Sequence, residues 1–138
     1  MTAKEYLGQA RLLEQRIDAK IEQVASLRTL ATKATSTLSD VALSGTRNVH
    51  RMEDIIVKLV DLENEINRDI DNLVDLKREI MTAIRSIRDL EYRTVLELRY
   101  LCFKPWEQIA VEMGCSIDNV YKLHQKALKK MEARLSVQ

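Results

Sequence analysis

The stretch MEDIIVKLVDLENEINRDIDNLVDLKREIMTAIRSI, Met52–Ile87, decides the fold class. In it Met52, Ile55, Leu59, Leu62, Ile66, Ile70, Leu73, Leu76, Ile80, Ile84 and Ile87 recur at steps of three and four, while Asp61, Glu63, Glu65, Arg68, Asp69, Asp71, Lys77 and Arg78 fill most other positions. One apolar stripe on a charged rod is an amphipathic helix. A helix from about Arg51 to Ile87 spans roughly 55 Å at 1.5 Å per residue.

Upstream, residues 34–49 carry Thr35, Ser36, Thr37, Ser39, Ser44, Gly45, Thr46 and Asn48, loop formers without periodicity. They predict a connector at about residues 35–50. Before it, Tyr6, Ala10, Leu13, Ile17, Val24, Leu27, Ala31 and Ala34 form a second stripe of alternating four and three steps, with Lys20 as its single polar member. Thr2 and Glu5 make a capping box, so a first helix is expected from about Ala3 to Ala31, roughly 43 Å long. The two stripes predict a long, coiled-coil-like antiparallel hairpin over residues 1–87. Such a hairpin has little core of its own, which predicts a homodimer formed through it or docking on the rest of the chain.

The composition agrees with an all-α protein: of 138 residues, 46% are hydrophobic but only 4% aromatic, and there are three glycines and one proline. A large multidomain enzyme is excluded, and a strand-rich fold is not expected. Lys plus Arg number 22 against 21 Asp plus Glu, so any nucleic-acid affinity must be local rather than global. No run of about 18 apolar residues occurs, which predicts no membrane partner and a cytoplasmic location. Cys102 and Cys115 form no C-x-x-C pair and lie at no zinc-finger spacing from His50 or His124, so they are read as reduced, mostly buried thiols. Asp69, Asp71 and Asp75 match no metal motif, there is no glycine-rich phosphate loop, and neither histidine has an evident nucleophile partner. No metal, cofactor or catalysis is expected, and the three aspartates read as a solvated helix face.

Residues 88–138 read as a separate small domain. Asp89 is an N-cap ahead of a short amphipathic helix with Val95, Leu96, Leu98, Tyr100 and Leu101; Pro105 opens the segment Trp106 to Met113; Gly114-Cys115-Ser116 breaks it before Ile117. Ile109, Ala110, Gly114, Val120 and Leu123 have helix-turn-helix spacing: Ala110 where two helices cross closely, Gly114 for a left-handed turn, Val120 and Leu123 to anchor the second helix. Ser116 suits that helix's N-cap. Trp106 is read as a packing residue and His124 as a helix-surface residue. Lys122, Lys126, Lys129, Lys130 and Arg134 against Asp118 and Glu132 give the last helix a local +3. The same cations also suit the negative end of a helix dipole, so charge alone leaves phosphate contact open.

Three blocks, Thr94 to Leu101, Trp106 to Gly114, and Val120 with Lys126 to Met131, resemble in order the promoter-binding carboxy-terminal region of bacterial sigma factors. With a helical hairpin ahead of it, the arrangement also resembles small sigma-like proteins of phages and prophages of Gram-positive bacteria, related to the late-transcription activators of the ArpU and RinA type. The resemblance implies that residues 116–130 lie in the major groove of double-stranded DNA. It places Asp118, Tyr121 and Lys122 at base edges or adjacent backbone, and Lys126 and Arg99 at phosphates. Chemistry allows Asp118 to accept from cytosine, Lys122 to reach guanine, and Asn119 or Gln125 to pair with adenine. Ser116 and Lys129 complete the expected DNA-binding set.

Two features depart from the sigma pattern: Pro105 stands where a capping serine or threonine is usual, and Ile117 where a basic residue is common. Nothing resembles the promoter-melting region. The expectation is therefore a transcription regulator that binds duplex DNA and works with RNA polymerase or a host sigma factor. The alternatives are a small DNA-packaging subunit and a module that contacts polymerase without DNA.

Overall fold

The computed structural model describes residues 1–40 and 45–136, with side chains described for 1–34 and 49–136. All regular structure among them is helical: α1 (Ala3–Asp40), α2 (Gly45–Arg85), α3 (Leu90–Leu96), a π-helical turn (Glu97–Leu101), α4 (Trp106–Met113) and α5 (Ile117–Ser136). The long helices outrun the sequence reading. With 38 and 41 residues, α1 and α2 reach about 57 and 62 Å. The connector expected at 35–50 is thereby corrected: helix continues to Asp40 and resumes at Gly45, and the part of it at 41–44 lies outside the described residues. Serines and threonines lower helix propensity only by tenths of a kcal/mol each, too little to end a helix.

The chain divides into two compact units, Met1–Glu14 with Leu73–Gln138, and Gln15–Asn72. Sequence reading puts the break between the hairpin and the tail at residues 87 and 88; by packing, the first turns of α1 and the last turns of α2 group with α3, α4 and α5.

In the unit Gln15–Asn72 the two long helices run antiparallel. Lys20 pairs with Asp69 and Arg28 with Glu63, so an advance along α1 is a retreat along α2. Ile17, Val24, Ile55 and Ile66 are buried between them. Lys20 meets Asp69 at 2.5 Å and Glu65 at 3.5 Å, with its side chain only 17% exposed. This corrects the stripe of α2: Asp69 occupies the seam, while Ile70 is 41% exposed. A buried ammonium requires a carboxylate opposite.

The other unit has the larger core. Ala3, Leu7 and Ala10 from α1 and Ile80, Ile84 and Ile87 from the end of α2 join Val95, Leu96, Tyr100, Ile109, Val120, Ala127 and Met131 in one cluster. Each fully buried aliphatic contributes about 1.5–3 kcal/mol. The seven and eight residues of α3 and α4 could not supply such a core alone. The capping box forms as expected: the Glu5 N–H donates to Thr2 Oγ1 (3.2 Å) and the Thr2 N–H to Glu5 Oε2 (3.4 Å). A third orphan donor, the Ala3 N–H, finds Glu132 Oε1 on α5 at 2.7 Å, tying the chain's start to its last helix.

Local signals end the short helices. Asp89 caps α3 by accepting from the Tyr92 N–H at 3.1 Å. Gly114 closes α4 at φ 66°, ψ 35°, and the Cys115 N–H returns to the Ala110 carbonyl at 3.1 Å, a Schellman closure. A Cβ at Gly114 would meet nothing within 4 Å, so only the backbone conformation disfavours a side chain. Gly114→Ala should therefore cost about 1 kcal/mol in urea unfolding, with Gly114→Asn recovering part of the loss because asparagine tolerates the left-handed region.

Candidate nucleic-acid interface

Helix α5 begins where Ser116 Oγ accepts the Asn119 N–H at 3.2 Å, which commits that hydroxyl to the cap. Val120, His124, Ala127, Leu128 and Met131 face the core. Asp118, Asn119, Tyr121, Lys122, Gln125, Lys126 and Lys129 are all exposed. Asp118, Lys122, Gln125 and Lys129, spaced by four, three and four, form a ridge along the outer surface, with Tyr121 and Lys126 on its two flanks. Donors, an acceptor carboxylate and an amide thus stand on one convex helix surface able to enter a groove about 12 Å wide. Lys122 and Lys126 also line a shallow hollow of about 320 Å³ with Glu91 of α3.

Arg99 lies apart from that ridge, on the π-helical turn. Its guanidinium sits 4.3 Å from the centre of the Trp106 ring, and Nη1 donates to the Lys104 carbonyl at 3.0 Å. It pairs with no carboxylate among the described residues. The i to i+5 closure of this turn, from the Cys102 N–H to the Glu97 carbonyl, accompanies the burial of Tyr100.

Under the ridge lies a polar contact that sequence reading missed. His124 is 3% exposed, so its assignment to the helix surface is corrected. Its Nε2 is 2.6 Å from the Tyr100 hydroxyl, and its ring meets the Trp106 ring edge-on at 4.6 Å between centres. In the neutral tautomer with a bare Nε2, the Tyr100 hydroxyl is the donor. The signal was available: Val120, His124, Ala127 and Met131 are spaced by four, three and four, a buried stripe. Trp106 does pack, edge-on to His124 and to Tyr121. The thiols also need correction, since Cys102 is exposed and Cys115 only partly covered; both are free. Among the described residues, no three His, Cys, Asp or Glu side chains are placed to share a metal ion, and no helix is long and apolar enough to cross a membrane.

Residues 32–132 match the family described as Protein of unknown function (DUF1492). The chain belongs to that family. The matched span takes in α2, the π-helical turn, both helices of the helix-turn-helix and all the exposed ridge residues of α5. No curated protein and no solved structure matches the chain.

Burial lowers the pKa of His124 to about 4, with the charges of Lys4 and Arg99 acting in the same direction; burial raises Tyr100 to about 12. Between pH 6.5 and 4 the unfolded chain binds a proton at His124 that the folded chain refuses, so stability is lost as pH falls through that range. Between pH 10 and 12 the unfolded Tyr100 ionises first, and stability is lost again as pH rises. Denaturant unfolding across pH should show a plateau between about 6.5 and 10, and His124→Gln should flatten the acid limb.

Proposed function

We propose that the chain is a sequence-specific, double-stranded-DNA-binding transcription regulator of phage or prophage origin, acting in the bacterial cytoplasm with host RNA polymerase or a sigma factor. The observation that carries this reading is the ridge of Asp118, Lys122, Gln125 and Lys129 on the solvent side of α5, whose opposite side is locked into the core. A helix presented this way, after a left-handed glycine turn and a serine cap, suits the major groove. The charge asymmetry agrees: residues 86–138 hold nine basic and seven acidic side chains, and residues 1–85 hold 13 and 14.

The role is binding rather than catalysis, and the sigma-like region recruits or redirects polymerase without opening DNA. Lys122→Ala should cost about 1–3 kcal/mol on the preferred duplex and relax its preference at one base pair, whereas Lys126→Ala should weaken all duplexes alike and reduce the salt slope by about 1. Electrophoretic retardation and fluorescence anisotropy, using duplexes from its own genome, measure both. Unchanged binding of both variants to a duplex that the wild type retains would sink the assignment.

The second unit supplies pairing in this reading. Ile56, Val57 and Val60 of α2 are 51%, 58% and 51% exposed, an apolar strip suited to a second copy of the chain. Ile56→Glu with Val60→Glu should convert a dimer into a monomer in analytical ultracentrifugation and weaken DNA binding while leaving helicity intact. A wild-type ring of many subunits would favour the packaging alternative instead.

A further inference from the structure

Within the unit Met1–Glu14 with Leu73–Gln138, the first turns of α1 and the segment from Arg99 to Trp106 enclose a groove of about 680 Å³. Lys4, Arg11 and Arg99 line it against a single acid, Glu5. A fourth cation, Lys77, stands beside it, 4.8 Å from the centre of the Phe103 ring. None of the four makes an ion pair among the described residues. Three are instead held over aromatic rings: Arg11 (5.3 Å) and Lys77 over Phe103, and Arg99 over Trp106. A ring face orients a cation without neutralising it, so the N–H edges keep their charge for an anion.

The backbone is bent to achieve this. Phe103 has φ 57°, the only non-glycine residue in the left-handed region among those described, a conformation that costs a bulky residue of order 1–3 kcal/mol. That bend carries the ring on which Arg11 and Lys77 rest. At the groove's edge α4 starts at Trp106 with no side-chain cap, so no side-chain oxygen sits on its positive end. The groove also adjoins the ridge, because Trp106 meets Tyr121 of α5 at 5.4 Å between ring centres.

We propose that this groove grips the phosphodiester backbone of the duplex read by α5, with Lys4 and Arg11 as phosphate contacts supplied by the amino-terminal turns. The inference rests on the DNA-binding reading and extends it to a part of the chain outside the helix-turn-helix. Both side chains are exposed, so truncating them leaves the core untouched.

Lys4→Ala, Arg11→Ala and the double variant, each in the full chain, would be compared with wild type on preferred and unrelated duplexes over a range of salt. Each single variant should weaken both duplexes by a similar factor and lower the slope of log affinity against log salt by about 1, the double variant by about 2. Arg11→Lys should retain most of the slope. Wild-type binding with unchanged affinity and slope in the double variant would overturn the inference and leave the α5 reading standing. Failure of the wild type to bind any duplex would overturn that reading and this one together. Trp106 is the sole tryptophan and reports on a competing source of phosphate. Saturable quenching of its fluorescence by a nucleoside triphosphate, abolished in the double variant while DNA binding is not, would assign the groove to a free nucleotide and overturn the duplex assignment.

Discussion

The hydrogen bond between the Tyr100 hydroxyl and His124 Nε2 fixes how α5 is presented. One partner stands on the π-helical turn and the other midway along α5, with the Trp106 ring of α4 packed edge-on to the histidine. A buried polar group costs several kcal/mol when it lacks a partner, so the two side chains restrict each other's position far more than aliphatic neighbours would. Around that contact the core closes only because Ala3, Leu7 and Ala10 arrive from α1 and Ile80, Ile84 and Ile87 from α2. Helices of seven and eight residues are below the length at which helices persist alone, and the first and last turns of the long helices supply the missing apolar surface. The outer face of α5 is therefore held by residues more than a hundred positions away in sequence, as the Ala3 N–H to Glu132 bond makes explicit.

The unit Gln15–Asn72 uses a polar constraint to a different end. Between two nearly uniform apolar stripes, neighbouring registers offer similar burial, and a slip of one turn loses little. Lys20 narrows that degeneracy in one direction. A slip bringing Leu73 to the place of Asp69 would move Asp69 out to the more distant place of Glu65, whereas a slip the other way would set Glu65 against the ammonium in its stead. The carboxylates thus bias the alignment without fixing it to a single turn. Displacing Ile70 from the seam is the corresponding cost, and with Ile56, Val57 and Val60 it leaves apolar surface exposed on α2, where the proposed second copy would pack.

Much of this was legible in sequence because its causes are local. Helical periodicity, the Thr2–Glu5 box, the Asp89 and Ser116 caps and the Gly114 turn each depend on residues within a few positions. What escaped depends on distance. Ile70 and Asp69 are equally compatible with three- and four-residue steps, and only Lys20, 49 residues earlier, chooses between them. His124 stands on a buried stripe, but its polarity reads as surface until Tyr100 is seen to satisfy it. Residues 35–40 look like a loop by composition, yet a helix already nucleated over eight turns extends at little cost through weak formers. Cys102 looks like a small buried hydrophobe and is exposed because the π-helical turn ends there. Lys4 and Arg11 carry no local signal, since the groove they line is completed by Phe103 and Trp106 from far along the chain.

On the proposed DNA-binding reading, the distribution of charge accounts for how a chain of net +1 would meet a polyanion. Two acids sit among the five cations of the last helix, and they are not equivalent. Glu132 spends its charge on the positive end of α1, where it accepts the Ala3 N–H, so it opposes a duplex less than its formal charge suggests. Glu112 of α4 is likewise occupied, by Lys104 at 2.6 Å. Asp118 alone stands free on the ridge, and a single carboxylate among lysines serves discrimination better than affinity, because it repels phosphate and accepts only from a base amino group such as that of cytosine. On that reading further attractive charge lies beside the ridge, in Arg99, Arg11 and Lys4, the first two held over aromatic rings rather than by carboxylates. On the proposed reading, separating phosphate-gripping cations around the ridge from base-reading groups on α5 would let a nearly neutral protein bind by position.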